Sequence, residues 1–286
     1  MVKTLVSAWN EAKQRLEAAG VDGPVIDARL LVEAAAGATR ADIIADPRRA
    51  LTRTQADALE AFLVRREQRE PVSHILGAKG FWTIMLRVTR DVLTPRTDTE
   101  TILDVVLPNY AETDSFSVLD LGVGSGAILL AILAERPGAS GVGIDASEQA
   151  LEVARENAQM LGLADRAHLA HGDWTLGLES DHFDLVVCNP PYIPSRDIRR
   201  LAPEVRDFEP RLALDGGRDG LRAFRVLAPE ILRVLRPGGL FAVEFGIGQA
   251  EAVQRLFDRA GARSIVVAHD LAGRERIIAG RKKPLG

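Results

Sequence analysis

The stretch Val118-Leu119-Asp120-Leu121-Gly122-Val123-Gly124-Ser125-Gly126 constrains the fold more than any other part of this sequence. An apolar strand pattern runs into three alternate glycines, and a helical pattern follows directly. Glycines there let the backbone turn tightly and let a ligand approach without interference from a Cβ atom. From Ser117 onward the same order of strand, turn and helix repeats. The apolar patterns predict strands over 117–121, 140–145, 166–170, 183–188, 239–245, 263–269 and 275–279. They predict helices over 126–135, 147–160, 220–235 and 249–260. Strands alternating with helices at this spacing imply an open α/β sheet, mostly parallel, that binds ligands at the carboxyl ends of its strands.

Upstream the pattern is helical. Leu5, Trp9, Ala12, Leu16 and Ala19 recur at helical spacing, and Gly20 is placed to end that helix. A second helix is expected from Pro24 to Gly37, and Thr52 with Gln55 forms a capping box before a third. Between Gly77 and Leu93, apolar residues at alternate positions (Ile84, Leu86, Val88) predict a β-hairpin. A further helix is expected from Asp98 through Ile102 and Val106. The expected organisation is a helical domain over 1–75, a hairpin linker over 76–97 and a catalytic α/β domain over 98–286.

Composition narrows the function classes. The chain has 286 residues, 47% apolar and 27% charged, which suits a soluble globular protein with a large core. No window approaches the roughly 18 apolar residues of a membrane helix. The N-terminal sequence does not read as a signal peptide, and the single cysteine, Cys188, fits a reducing, cytoplasmic setting. One cysteine and five scattered histidines lack any zinc-ligand spacing, so no metal site is expected. A net charge of −4, with its longest basic run at Arg281-Lys282-Lys283, argues against a nucleic-acid substrate. That run reads as a solvated tail.

Two details separate the glycine turn from that of a dinucleotide enzyme. Its spacing is G-x-G-x-G, and the acid Asp120 precedes it on the strand. The second strand ends at Asp145, where a carboxylate can accept hydrogen bonds from both hydroxyls of a ribose. His171-Gly172-Asp173-Trp174 follows the third strand. These features resemble the Rossmann-like methyltransferases that use S-adenosyl-L-methionine, in which Trp174 would flank the adenine.

Asn189-Pro190-Pro191-Tyr192 follows the strand Phe183–Cys188. A planar amide or aromatic amine nitrogen has a delocalised lone pair and attacks a methyl sulfonium poorly. It must be held in line with the S–CH3 bond. The Asn189 side-chain oxygen and the Pro190 carbonyl oxygen are placed to accept its N–H groups, and the Tyr192 ring to pack beside a flat group. Proline keeps the segment stiff and adds no competing N–H. Cys188 reads as a small buried strand residue.

The Asn-Pro-Pro-Tyr motif alone does not choose between amino-methyltransferases of nucleic acid and protein glutamine methyltransferases. The wider sequence resembles the release factor glutamine methyltransferase family (PrmC/HemK) over nearly its full length. The likeness rests on Pro71-Val72-Ser73-His74-Ile75-Leu76-Gly77 with Phe81-Trp82, on Pro95-Arg96-Thr97-Asp98-Thr99-Glu100, and on Glu209-Pro210-Arg211-Leu212-Ala213-Leu214-Asp215-Gly216-Gly217-Arg218-Asp219-Gly220-Leu221. His74, Thr94 and Thr97 depart from the family's usual Tyr, Ile and Pro. The resemblance implies methyl transfer to the glutamine of the Gly-Gly-Gln loop in class-I peptide chain release factors. It implies cofactor contacts from Gly122, Val123, Gly124, Ser125, Gly126, Asp145, Trp174, Asn189 and Glu100, and substrate contacts from Asn189, Pro190, Pro191 and Tyr192. A ribosomal-protein glutamine methyltransferase and an adenine methyltransferase remain open alternatives at this point.

Overall fold

The computed structural model describes residues 3–284. Contacts divide the chain into two compact units, Met1–Ala78 with Ala202–Phe208, and Lys79–Leu201 with Glu209–Gly286.

In the first unit, Thr4, Thr39 and Thr52 each cap a helix, over Leu5–Ala18, Arg40–Ala45 and Arg53–Glu67. Each cap accepts a backbone N–H that would otherwise lack a partner. The Thr52/Gln55 capping box is present as expected. Pro24–Ala36 starts with proline and ends at Gly37 in the left-handed region. Leu5, Leu16, Leu31, Leu59 and Leu63 meet in the core of this unit. Buried Arg66 bonds Asp27 at 2.8 Å and Glu204 at 2.9 Å, and Arg69 bonds Glu204 at 2.7 Å. These pairs hold Ala202–Phe208 in the first unit, although it lies far along the chain. Removing one partner from such a buried group strands a charge, so the return segment is firmly fixed.

From Lys79 the second unit takes in nearly all of a two-stranded sheet, β1 (Ala78–Phe81) and β2 (Ile84–Arg87), joined by a two-residue turn. The hairpin does not stand apart as a linker. Phe81, Ile84 and Leu86 lie in the same apolar core as the main sheet, because their alternation points one face inward. The main sheet follows with β3 (Ser117–Leu121), β4 (Ser140–Asp145), β5 (Ala167–His171), β6 (Phe183–Cys188), β7 (Leu235–Glu244), β8 (Arg263–His269) and β9 (Glu275–Arg281). Their spatial order is β5-β4-β3-β6-β7-β9-β8. The first five run parallel, and β9 pairs antiparallel with both β7 and β8. β3 sits between β4 and β6, so the order reverses at its carboxyl end and opens a crevice there.

The expected helices appear as Ala127–Glu135, Glu148–Met160, Arg222–Val234 and Ala250–Ala260. The helix expected from Asp98 splits into a 3₁₀ turn, Thr97–Glu100, and a short helix, Thr101–Val106. Strand β7 starts four residues earlier than its apolar run, because Leu235 already pairs with Phe183 before a shift in register. The basic run is no loose tail: Arg281 pairs within β9, and Lys282 donates to Asp181 at 2.6 Å. Among the described residues no helix is long and apolar enough to cross a membrane.

Candidate active site

A cleft of about 410 Å³ opens at the carboxyl ends of the parallel strands, and its walls come from the second unit. Gly122, Gly124 and Gly126 all have positive φ, at 75°, 55° and 86°. These values explain why the turn needs glycine at alternate positions. The Gly122 and Val123 N–H groups both donate to the Ile144 carbonyl, at 2.8 and 3.0 Å. The turn is thereby tied to the adjacent strand.

Asp145 ends β4, and its carboxylate faces the turn. One oxygen accepts the Gly124 N–H at 2.8 Å and the other accepts the Ser147 N–H at 2.9 Å. Trp174 follows β5 with φ 51°, a left-handed conformation rare for a bulky residue. Its ring lies 3.8 Å from the position a Gly122 Cβ would occupy. Asp145, Trp174, Gly122, Val123, Gly124 and Ser125 all line the cleft, whereas Gly126 does not. A Cβ at Gly126 would come within 2.7 Å of Leu130, so that glycine serves helix packing.

Beneath the turn, Asp120 is 1% exposed. One oxygen accepts the Leu129 N–H at 3.1 Å, while Oδ1 has no partner among the described residues. Burial pushes its carboxyl up to about 7, the Leu129 N–H lowers it, and the nearby Asp145 charge raises it.

Asn189 and Pro191 line the same cleft; Pro190 is buried beside them. The Asn189 amide Nδ2 donates to Thr99 Oγ1 at 3.2 Å. Thr99 in turn donates to Glu244 Oε2 at 2.6 Å, and the Tyr192 hydroxyl donates to Glu244 Oε1 at 3.0 Å. Glu244 ends β7 and is 1% exposed. Burial raises its carboxyl above the usual range, opposed by the two hydroxyls and by Arg276. Burial and the Glu244 charge also push the Tyr192 phenol upward, so it stays protonated. Cys188 is buried, donates to the Leu121 carbonyl at 3.0 Å, and has a thiol pushed well above its usual value by burial. That environment suits a packing residue and disfavours a nucleophile.

The loop carrying Tyr192 rests on glycines. A Cβ at Gly216 would meet the Tyr192 backbone at 2.8 Å, and one at Gly220 would meet its carbonyl oxygen at 2.3 Å. A Cβ at Gly246 would lie 3.0 Å from the Tyr192 ring. Gln249 donates to the Tyr192 carbonyl at 3.0 Å. Asp215 accepts from Ser195 at 2.5 Å and from the Gly217 N–H at 2.9 Å. Gly216 and Gly220 of segment 209–221 thus have a packing cause, since the Tyr192 loop runs directly across them, whereas a Cβ at Gly217 would meet Arg222.

Like Gly126, the expected site residues Pro190, Tyr192 and Glu100 are not among the lining of the cleft, and Glu100 has a different task. Its Oε1 accepts the N–H of Trp82 at 2.8 Å. Trp82 occupies the hairpin turn with φ 52°, so Glu100 pins that turn. Sequence reasoning also missed Asn157. Fully buried, it bonds both backbone groups of Arg87 and donates to the Ser125 carbonyl at 2.8 Å, stitching the hairpin to the glycine turn. A lone Asn on the inner face of an amphipathic helix is the signal that marked it.

A family model described as PrmC N-terminal domain matches residues 7–77, and one described as methyltransferase domain matches residues 112–264. A solved structure of a methyltransferase from Pyrococcus furiosus shares the fold with TM-score 0.51 at 16% identity, over 78% of this chain and 98% of its own. A protein from Rhodospirillum rubrum named release factor glutamine methyltransferase is 48% identical over 95% of this chain and 83% of its own length. One of the same name from Caulobacter vibrioides is 61% identical over 100% of this chain and 99% of its own. The chain belongs to the release factor glutamine methyltransferase family.

Proposed function

We propose that this protein transfers a methyl group from S-adenosyl-L-methionine to the side-chain amide nitrogen of the glutamine in the Gly-Gly-Gln loop of class-I peptide chain release factors. The observation that carries the reading is the placement of Asn189 in one cleft with the glycine turn and Asp145. Full-length likeness to proteins named for this activity supports it.

The residues present fit the cofactor. Glycines 122 and 124 leave open space where side chains would stand, Asp145 offers a carboxylate for the ribose hydroxyls, and Trp174 offers a flat face for the adenine. The cofactor, when bound, supplies an electrophilic methyl on a sulfonium. Asn189 Oδ1 and the Pro190 carbonyl oxygen accept the two N–H groups of the glutamine amide and hold its nitrogen in line. Tyr192 and Pro191 pack beside the amide plane. No strong base is needed, because the nitrogen becomes acidic as it gains the methyl group from sulfur and releases its proton to water. Proximity and orientation carry the rate.

A Gly-Gly-Gln tripeptide offers little area, so affinity must come from elsewhere on the factor. The helical unit is the docking surface in this reading, since its ion pairs and caps serve its own packing. Binding to protein in place of nucleic acid, in the cytoplasm, completes the reading. Offering labelled cofactor with an intact class-I release factor, ribosomal subunits, DNA and a short Gly-Gly-Gln peptide tests it. The factor should take the label and the peptide should take it poorly. Label on ribosomal protein or adenine, with the factor untouched, would reject the reading.

A further inference from the structure

We infer that Thr99 and Glu244 are positioning residues that fix which way round the Asn189 amide stands, so that its oxygen and not its nitrogen meets the substrate. The inference rests on the proposed glutamine methylation, and it names residues that neither the motif nor the glycine turn contains.

An asparagine amide is nearly symmetrical in shape, with an acceptor on one branch and two donors on the other. Shape alone does not choose between its two orientations, yet only one is useful here. If Nδ2 faced the glutamine N–H groups, donor would meet donor. Something must break the symmetry.

Polarity breaks it, starting from Glu244. Each of its two carboxyl oxygens accepts one hydroxyl, Thr99 at 2.6 Å and Tyr192 at 3.0 Å. The Thr99 contact is the shorter of the two and lies inside the range of an O–H···O hydrogen bond. Threonine has a single hydroxyl hydrogen, and here it is committed to Glu244. Thr99 Oγ1 therefore shows only lone pairs to its other neighbour, and only a donor can face it. That neighbour is Asn189, which presents Nδ2 at 3.2 Å. Reversing the amide would set two oxygens against each other in a half-buried place, which costs a bond and adds repulsion.

Both anchors are rigid. Thr99 sits in the 3₁₀ turn, where its N–H bonds the Arg96 carbonyl at 3.1 Å. Glu244 lies at the end of β7, paired with Ile277 of β9. Arg276 and Asp98, themselves paired at 2.9 Å, are the charged groups that act on it, the first lowering and the second raising its carboxyl. The Pro95–Glu100 segment thus acts on the reaction through Thr99 and not through Glu100.

Two variants and two readouts test the inference. Thr99→Val keeps the shape and removes the hydroxyl; Thr99→Ser keeps the hydroxyl. With intact release factor as substrate, Thr99→Val should lower kcat about tenfold or more while cofactor affinity stays within about twofold. Thr99→Ser should recover most of that loss. Equal kcat in the Val variant and the wild type, or equal losses in Val and Ser that track melting temperature, would overturn the inference. The second readout needs no substrate. The Asn189 side-chain amide resonances, assigned through their disappearance in Asn189→Ala, should shift in Thr99→Val and stay near their wild-type positions in Thr99→Ser. Unshifted resonances in Thr99→Val would overturn the relay even if glutamine methylation holds. A wild-type protein inactive on the factor would reject the proposed function while the resonances still judge the relay.

Discussion

The two walls of the cleft are built on different principles. The glycine turn with Asp145 is held by backbone conformation and by hydrogen bonds to the next strand, so neighbours in sequence nearly determine it. The Asn189–Tyr192 loop is held by side chains from distant places: Thr99 is 90 residues away from Asn189, and Glu244 is 145 from Thr99. Damage to the first wall should therefore appear in cofactor binding, and damage to the second in turnover. In the proposed function, a local motif makes the cofactor surface, whereas orienting a poor nucleophile draws on residues far apart in the chain.

Asn189→Ala should give the largest effect, a fall in kcat of roughly a hundredfold or more, by analogy with losing one preorganised polar contact. Calorimetry should find cofactor affinity little changed. An equal loss in both would erase the distinction between the walls.

Gly220→Ala should come next. Its Cβ would press on the Tyr192 carbonyl at 2.3 Å and on Gln249 at 2.5 Å, at φ 79°. Turnover should fall about tenfold or more as the loop shifts. Gly248→Ala shares a positive φ of 78° but meets nothing within 4 Å, so its cost should be limited to about 1–2 kcal/mol of backbone strain. Side-by-side kinetics and melting curves separate contact from strain.

What the sequence made legible follows the same division. Strands 117–121, 140–145 and 183–188 were readable at both ends because apolar periodicity and positive-φ glycines act locally. The hairpin was readable too, but not its membership in the catalytic core, which depends on what Phe81 and Leu86 touch. Glu100 lay in a recognisable segment, yet its partner, the Trp82 N–H, is visible only in three dimensions. Thr99 lay in the same segment, but nothing in its spacing marked its partners, and Glu244 and Gln249 are common residue types in unremarkable local patterns. Their roles arise from chain pairing that no spacing rule encodes. The return of Ala202–Phe208 to the helical unit was hidden for the same reason: Glu204 looks like any surface acid until Arg66 and Arg69 close on it.

Asp145→Ala sharpens the comparison from the other side. Cofactor affinity should weaken about tenfold, near 1.4 kcal/mol, through loss of charge-assisted hydrogen bonds. Turnover at saturating cofactor should suffer less than in Asn189→Ala. Unchanged affinity would remove Asp145 from the cofactor wall.

The smallest effect concerns pH. Burial pushes the folded Asp120 carboxyl up to about 7, against 3.8 for the ordinary group. A raised folded value means its contribution to stability is full below the ordinary value and is lost as pH rises through about 7. The wild type should therefore lose about 1 kcal/mol from this group between roughly pH 6 and 8. Asp120→Asn should abolish that part of the slope, so the variant gains on the wild type as pH rises. Parallel unfolding curves across this range would contradict it.

The most direct test of the central claim is to locate the methyl group. Intact class-I release factor is incubated with cofactor and either the wild type or Asn189→Ala, then digested and fragmented by tandem mass spectrometry. The wild type should leave one methyl on the side-chain nitrogen of the Gly-Gly-Gln glutamine, and the variant should leave nearly none. A methyl on another residue, or equal methylation by both proteins, would contradict the account.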